Sequence, residues 1–183
     1  MTFGDILAVF GQHLFQLWPF RTIADWEQGV RLRAGVCKTL LTSSNGMFGT
    51  GVHAFIPFID EIIQMDASVE VVEGTIQTCT TTDNKAISFG LVLRYRILDA
   101  KKVFQTIFEV QGTVLSEARA SAGDLAATFK SKEVAEELAE AVYSDIAARL
   151  EEWGIELQEV SLSSCVNCNT IRLVSDSAKS SMF

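Results

Sequence analysis

The sequence predicts an α+β fold: a mostly antiparallel sheet packed with helices, preceded by an N-terminal amphipathic membrane helix. Three observations carry this. Ile87, Phe89, Leu91, Leu93, Tyr95 and Ile97 alternate with more polar residues, the period of a strand with one buried face. After Asp99 the apolar spacing lengthens to three and four residues, the period of a helix. Ahead of both lies an apolar stretch from Ile6 to Phe20.

In that stretch Phe3, Leu7, Phe10, Leu14 and Leu17 recur every three or four residues, with Ile6 and Trp18 beside them, while Gln12, His13 and Gln16 fall largely outside the stripe. This is an amphipathic helix pattern. Its apolar run is about 15 residues, short of the roughly 20 that a spanning helix needs, and Pro19 ends it. An interfacial or re-entrant segment follows, with Phe3, Ile6, Leu7, Phe10, Leu14, Phe15, Leu17, Trp18 and Phe20 as the membrane-inserting residues. Aromatic rings such as Trp18 and Phe20 suit the headgroup zone. The alternative is a helix packed on its own domain.

The body begins where Val30 and Leu32 alternate with Arg31 and Arg33, a strand with one wet face. Asn45-Gly46, Gly49 and Gly51 mark turns. From Ile59, apolar Ile63, Met65, Val69 and Val71 hold odd positions against polar Asp60, Gln64, Asp66 and Glu70. Thr75 to Thr81 reads as extended, and Asp83-Asn84 turns the chain into the strand at Ile87. Short turns between strands predict antiparallel pairing. Asp99 is a helix N-cap candidate, with Val103, Ile107, Val110 and Val114 on one face up to a break at Gly123-Asp124. A second helix runs from about Ser131, its stripe Val134, Leu138, Val142, Ile146, Leu150 and Trp153 opposed by Glu133, Glu136, Glu137, Glu140 and Glu152. Gly154 is its C-cap, and Ile155 and Leu157 open a short strand. The boundaries are 1–21 for the membrane segment, 22–173 for the domain and 174–183 for a serine-rich tail.

Charge narrows the partners. The 183 residues carry 23 acidic and 15 basic side chains, a formal net charge of −8, which disfavours nucleic acid. Between Ser116 and Val160 eleven acidic residues face four basic ones, whereas Met1 to Phe58 is near neutral and holds seven of the twelve phenylalanines. An acidic body is repelled by anionic lipid, so attachment to a membrane has to be hydrophobic and N-terminal. Arg21, Arg31, Arg33 and Lys38 follow the apolar segment, which places the body on the cytoplasmic side. The four cysteines are few for a secreted disulfide scaffold, and no signal peptide precedes them.

No residue set supports catalysis. Cys165-Val166-Asn167-Cys168 has the spacing of zinc and thiol–disulfide sites, but Cys37, Cys79 and His53 are scattered singly. Cys165 and Cys168 are therefore the candidate pair for a thiol or zinc-binding alternative, and lipid modification of one cysteine is a further one. Two histidines, His13 and His53, leave no credible Ser/His/Asp order. The glycines near Thr50 lack the Lys-Ser/Thr ending of a phosphate loop. No cofactor is implied.

The order of motifs resembles the SPFH domain (band 7) family of stomatins, prohibitins, flotillins and HflK/HflC proteins. The residues that carry it are Glu27-Gln28-Gly29-Val30-Arg31-Leu32-Arg33-Ala34-Gly35; Gly51-Val52-His53-Ala54-Phe55-Ile56-Pro57 with Phe58-Ile59-Asp60; Thr81-Thr82-Asp83-Asn84-Lys85-Ala86-Ile87; Tyr95-Arg96-Ile97-Leu98-Asp99; and Trp153-Gly154-Ile155-Glu156-Leu157. Each is loose alone, but five in family order span about Thr22 to Leu173. The long coiled coil usual in the family is not matched in the ten residues after Leu173. The resemblance implies a non-enzymatic scaffold that binds membrane lipid, forms a homo-oligomer by side-by-side packing and organises membrane-protein clients. Val142, Ile146, Leu150 and Trp153 are the candidate oligomer contacts. A soluble self-associating interaction module is the nearer alternative.

Overall fold

The computed structural model describes residues 19–168. The expected membrane helix, with Phe3 to Trp18, lies outside the described residues, as does the tail. What is described is α+β, with three antiparallel sheets and three α-helices.

Strands β1 (Phe20–Thr22) and β4 (Val52–Ala54) pair with each other. Strand β2 (Glu27–Arg33) is flanked by β3 (Val36–Leu41) and β5 (Asp60–Asp66). The third sheet is built on β8 (Ala86–Ile97). One edge of β8 is shared by β6 (Val69–Glu73) and β7 (Gln77–Thr80), and β9 (Ile155–Cys168) runs along the other from Ala86 to Ile97. The odd positions of β8, Ile87 to Ile97, are all buried, while Arg94 and Arg96 on the opposite face pair with Glu159 and Glu156 of β9.

Helices α1 (Ala100–Thr106), α2 (Val110–Ala126) and α3 (Val134–Glu152) contribute to the same core. Asp99 caps α1 by accepting the backbone N–H groups of Lys101 and Lys102. The single helix expected from Asp99 to Gly123 is two. Ile107 (φ −127°, ψ 135°) and Glu109 are extended, so the chain turns between α1 and α2 while Ile107 stays buried. Gly123 sits inside α2, where an added methyl would meet nothing within 4 Å. The small residues Ala118, Ser121, Ala122 and Ala126 are the buried face of α2.

Gly154 adopts φ +87° after α3, a left-handed turn that favours glycine. Its carbonyl accepts the N–H groups of Leu98 and Asp99, tying the start of β9 to the end of β8. The strand that follows is 14 residues long, not short. Register shifts opposite Gly90/Leu91 and Arg94/Tyr95 leave Ser163 and Gln158 as extra residues. Such bulges break the alternation by which a long strand is recognised.

The candidate oligomer contacts Val142, Ile146 and Leu150 have 0% exposure, and Trp153 is half-buried against the same core. Burying each aliphatic side chain contributes about 1.5–3 kcal/mol, and here that burial is spent within the chain. These three therefore do not form a surface between copies of the folded domain.

A candidate membrane-facing surface

Where the chain enters the domain, its backbone is fixed beside a turn that displays apolar side chains. Phe20 pairs with Ala54 across β1 and β4, and the Phe55 N–H donates to the Pro19 carbonyl at 2.8 Å. Residues 55–59 then turn before β5. Within that turn Ile59 and Asp60 both donate their N–H groups to the Ile56 carbonyl, at 3.2 and 2.9 Å, while the Ile59 carbonyl accepts from Ala34 at 2.9 Å. The turn is thus bound to the β2–β3 connection, where Ala34 (φ 50°) and Gly35 (φ 78°) reverse the chain.

Asp60 holds the arrangement from inside. Its carboxylate accepts Arg33 Nε at 2.7 Å and Nη2 at 2.9 Å, and also the Ile56 N–H at 3.1 Å. The guanidinium bonds, then the backbone N–H, lower the Asp60 pKa to about 2 against the opposing effect of burial. Arg31 lies close by, with Nη2 on the Ala54 carbonyl and its buried Nε without a partner among the described residues.

The result is a rigid turn with its apolar side chains outward. Phe58 is 94% exposed, and Ile56, Ile59 and Val36 are each about half exposed. Phe58 is held at φ 70°, a backbone region that costs a non-glycine residue about 1–2 kcal/mol. Phe48, on the short turn Met47–Gly49, repeats the combination, with φ 59° and 96% exposure. Large rings strained outward into water carry a double cost, and adjacent apolar side chains of this kind mark an interaction surface.

Of the expected insertion residues, Phe20 alone is described, at 38% exposure on β1. Ile56, Phe58 and Ile59 were legible only as a motif. An apolar residue within a turn, Phe58 after Pro57, was the signal that could have marked them. No helix among the described residues is long and apolar enough to cross a membrane.

The other expected site takes a different form. Cys165 and Cys168 lie on a strand, not at a helix N-terminus. Cys165 packs against the core and its thiol pKa is raised by burial, while Cys168 is exposed with Sγ 3.0 Å from Ser88 Oγ. No group of three metal-ligating side chains occurs among the described residues. His53 is buried, with Nε2 2.8 Å from the Thr42 carbonyl, and fastens β4 to the chain before it.

Two archaeal proteins of uncharacterized function are similar to this chain. One, from Archaeoglobus fulgidus, is 26% identical over 98 residues, 54% of this chain and 36% of the relative. The other, from Methanocaldococcus jannaschii, is 23% identical over 121 residues, 63% of this chain and 59% of the relative. The chain therefore spans less than two thirds of either relative. The model of the SPFH domain / Band 7 family matches residues 21–172, from the first strand through β9, and the chain belongs to that family.

Proposed function

We propose that this protein is a non-enzymatic scaffold that attaches to a bilayer, self-associates there and organises or regulates neighbouring membrane proteins. Membership of a family of membrane-associated, scaffold-type proteins supports the class. The observation that carries the reading for this chain is the Asp60-braced turn beside Pro19, which holds Phe58 almost fully exposed where the apolar N-terminal segment enters. Ile6 to Phe20 and the turn act together in attachment, with the acidic body on the cytoplasmic side. Weak attachment of one copy becomes firm when several act together, because linked sites raise effective concentration.

Liposome flotation tests this with the intact chain, a chain lacking Met1 to Phe20, and Phe58→Asp. The intact chain floats, the truncated chain loses most of its flotation, and Phe58→Asp floats less than the intact chain. Equal flotation of all three would overturn the attachment.

A further inference from the structure

Among the described residues, the longest unpaired backbone edge in the third sheet belongs to β9. Because β9 covers one whole edge of β8, its own far edge faces outward for its 14 residues, roughly 46 Å at the rise of a strand. Alternate N–H and C=O groups along such an edge point away from the sheet. Among the described residues, the single bond to that edge from outside the β8 ladder is Cys168 Sγ to the Val166 carbonyl, at 3.9 Å. The edge of β3 differs. There Lys101 Nζ occupies the Lys38 carbonyl and Asn45 Nδ2 the Leu40 carbonyl. Side chains thus blunt one sheet edge and, among the described residues, leave the other bare.

The charge along β9 is divided. Glu156 and Glu159 lie in its first half, each already paired with an arginine of β8. From Val160 to Cys168 there is no charged residue and no proline, so the usual devices that keep an edge from pairing are absent except for the bulge at Ser163.

We propose that the Ser164–Cys168 edge pairs antiparallel with the same edge of a second copy, joining two sheets across a two-fold axis. This inference rests on the self-associating scaffold reading and names its contact. An isologous pairing sets a surface against itself, so the charge pattern selects the register. A two-fold axis normal to the strands sets one residue opposite its own copy. Centred on Val166, beyond the bulge at Ser163, the pairing puts Ser164 opposite Cys168 and Cys165 opposite Asn167, and every facing side chain is neutral. Sliding it toward the first half would bring Glu156 and Glu159 of both copies together, and opposed like charges destabilise a strand pair. Val166, 59% exposed, would gain an apolar neighbour surface from the second sheet. The backbone supplies the affinity and the charge pattern the register.

The test uses the full chain in mild detergent. Ser164→Lys with Cys168→Lys puts lysine against lysine at this register, whereas Ser164→Glu with Cys168→Lys puts glutamate against lysine. Mass photometry should show the double-lysine variant associating at a concentration on the order of tenfold higher than the natural chain, with the Glu/Lys variant restored. Association of the double-lysine variant at the natural concentration would overturn the proposal. If circular dichroism shows that variant unfolded, hydrogen exchange of the natural chain decides. Protection of the 164–168 amides should rise with protein concentration, and protection that is the same at all concentrations, as from cover by the chain's own residues 169–183, would overturn it. Flotation separates the two readings: the double-lysine variant should still float, and loss of flotation by Phe58→Asp bears on attachment alone.

Discussion

Arg33 and Asp60 form a two-point ion pair whose members differ in exposure: the Arg33 side chain is 46% exposed and that of Asp60 0%. A carboxylate withdrawn from water is tolerable when its acceptor capacity is filled. Here two guanidinium N–H groups and the Ile56 N–H fill it. The pair therefore bridges the β2–β5 ladder at Arg33↔Asp60 and fixes the apolar turn that precedes β5.

The first expectation concerns acid. The Asp60 pKa of about 2 in the folded chain lies below the roughly 3.9 of a free aspartate. A group depressed on folding contributes stability above its unfolded pKa and loses it as pH falls through the folded value. The contribution of Asp60 should therefore be present at pH 5 and above and fade between about pH 4 and 2. Urea midpoints measured from pH 7 to 2.5 for the natural chain and Asp60→Asn should differ most near neutrality and converge in acid. Parallel curves would remove the ion pair from this role.

Phe58 sets stability against attachment. Phe58→Gly removes the strain of a positive φ, about 1–2 kcal/mol, and returns about 0.5–1 kcal/mol through the greater freedom of unfolded glycine. The expected balance is a gain of about 0.5–1 kcal/mol in urea unfolding. The same substitution deletes the most exposed ring of the turn, so liposome flotation should fall. A variant that is less stable and floats unchanged would contradict both halves.

Leu150 and Trp153 separate fold from assembly. Leu150 is fully buried between α3 and the sheet, while Trp153 packs at the margin of the core. Leu150→Glu places an unpaired charge where no water reaches, at a cost of several kcal/mol, and should abolish the folded state. Trp153→Glu should leave a folded, weakened domain. Far-ultraviolet circular dichroism and a urea titration of each distinguish these outcomes, and a folded Leu150→Glu would show that the stripe is not core.

Much of this fold was legible because β8 obeys a single rule. It has one buried face, so each odd position from Ile87 to Ile97 is apolar. The strand β9 breaks that rule twice, at Gln158 and Ser163, so the alternation opened by Ile155 and Leu157 marks only a short strand. The gap between α1 and α2 was hidden for the opposite reason: Ile107 keeps the helical spacing although its backbone is extended. A stripe such as Val142, Ile146 and Leu150 records only that one face avoids water, not whether its cover is the same chain or another. The exposed turn was the least legible, since Ile56, Phe58 and Ile59 resemble core residues until the Arg33–Asp60 pair shows which way they are held.

Tyr95 and Glu70 give the last expectation. Tyr95 is fully buried near the C-terminal end of β8, and its hydroxyl donates to Glu70 Oε2 at 2.8 Å. Burial first, and then the Glu70 carboxylate, push the phenol pKa above its ordinary range, so it stays protonated and keeps donating. Tyr95→Phe keeps the ring and deletes the donor, while half-buried Glu70 can turn to water or to Gln111 Nε2, 3.4 Å away. That loss should cost about 1 kcal/mol, or roughly 2–4 °C in Tm for a domain of this size. Glu70→Ala instead strands the buried hydroxyl without an acceptor, and an unsatisfied buried group costs about 1–3 kcal/mol. Thermal unfolding should therefore rank Glu70→Ala as the more damaging of the two, and the reverse order would mean that the Tyr95 hydroxyl has another partner.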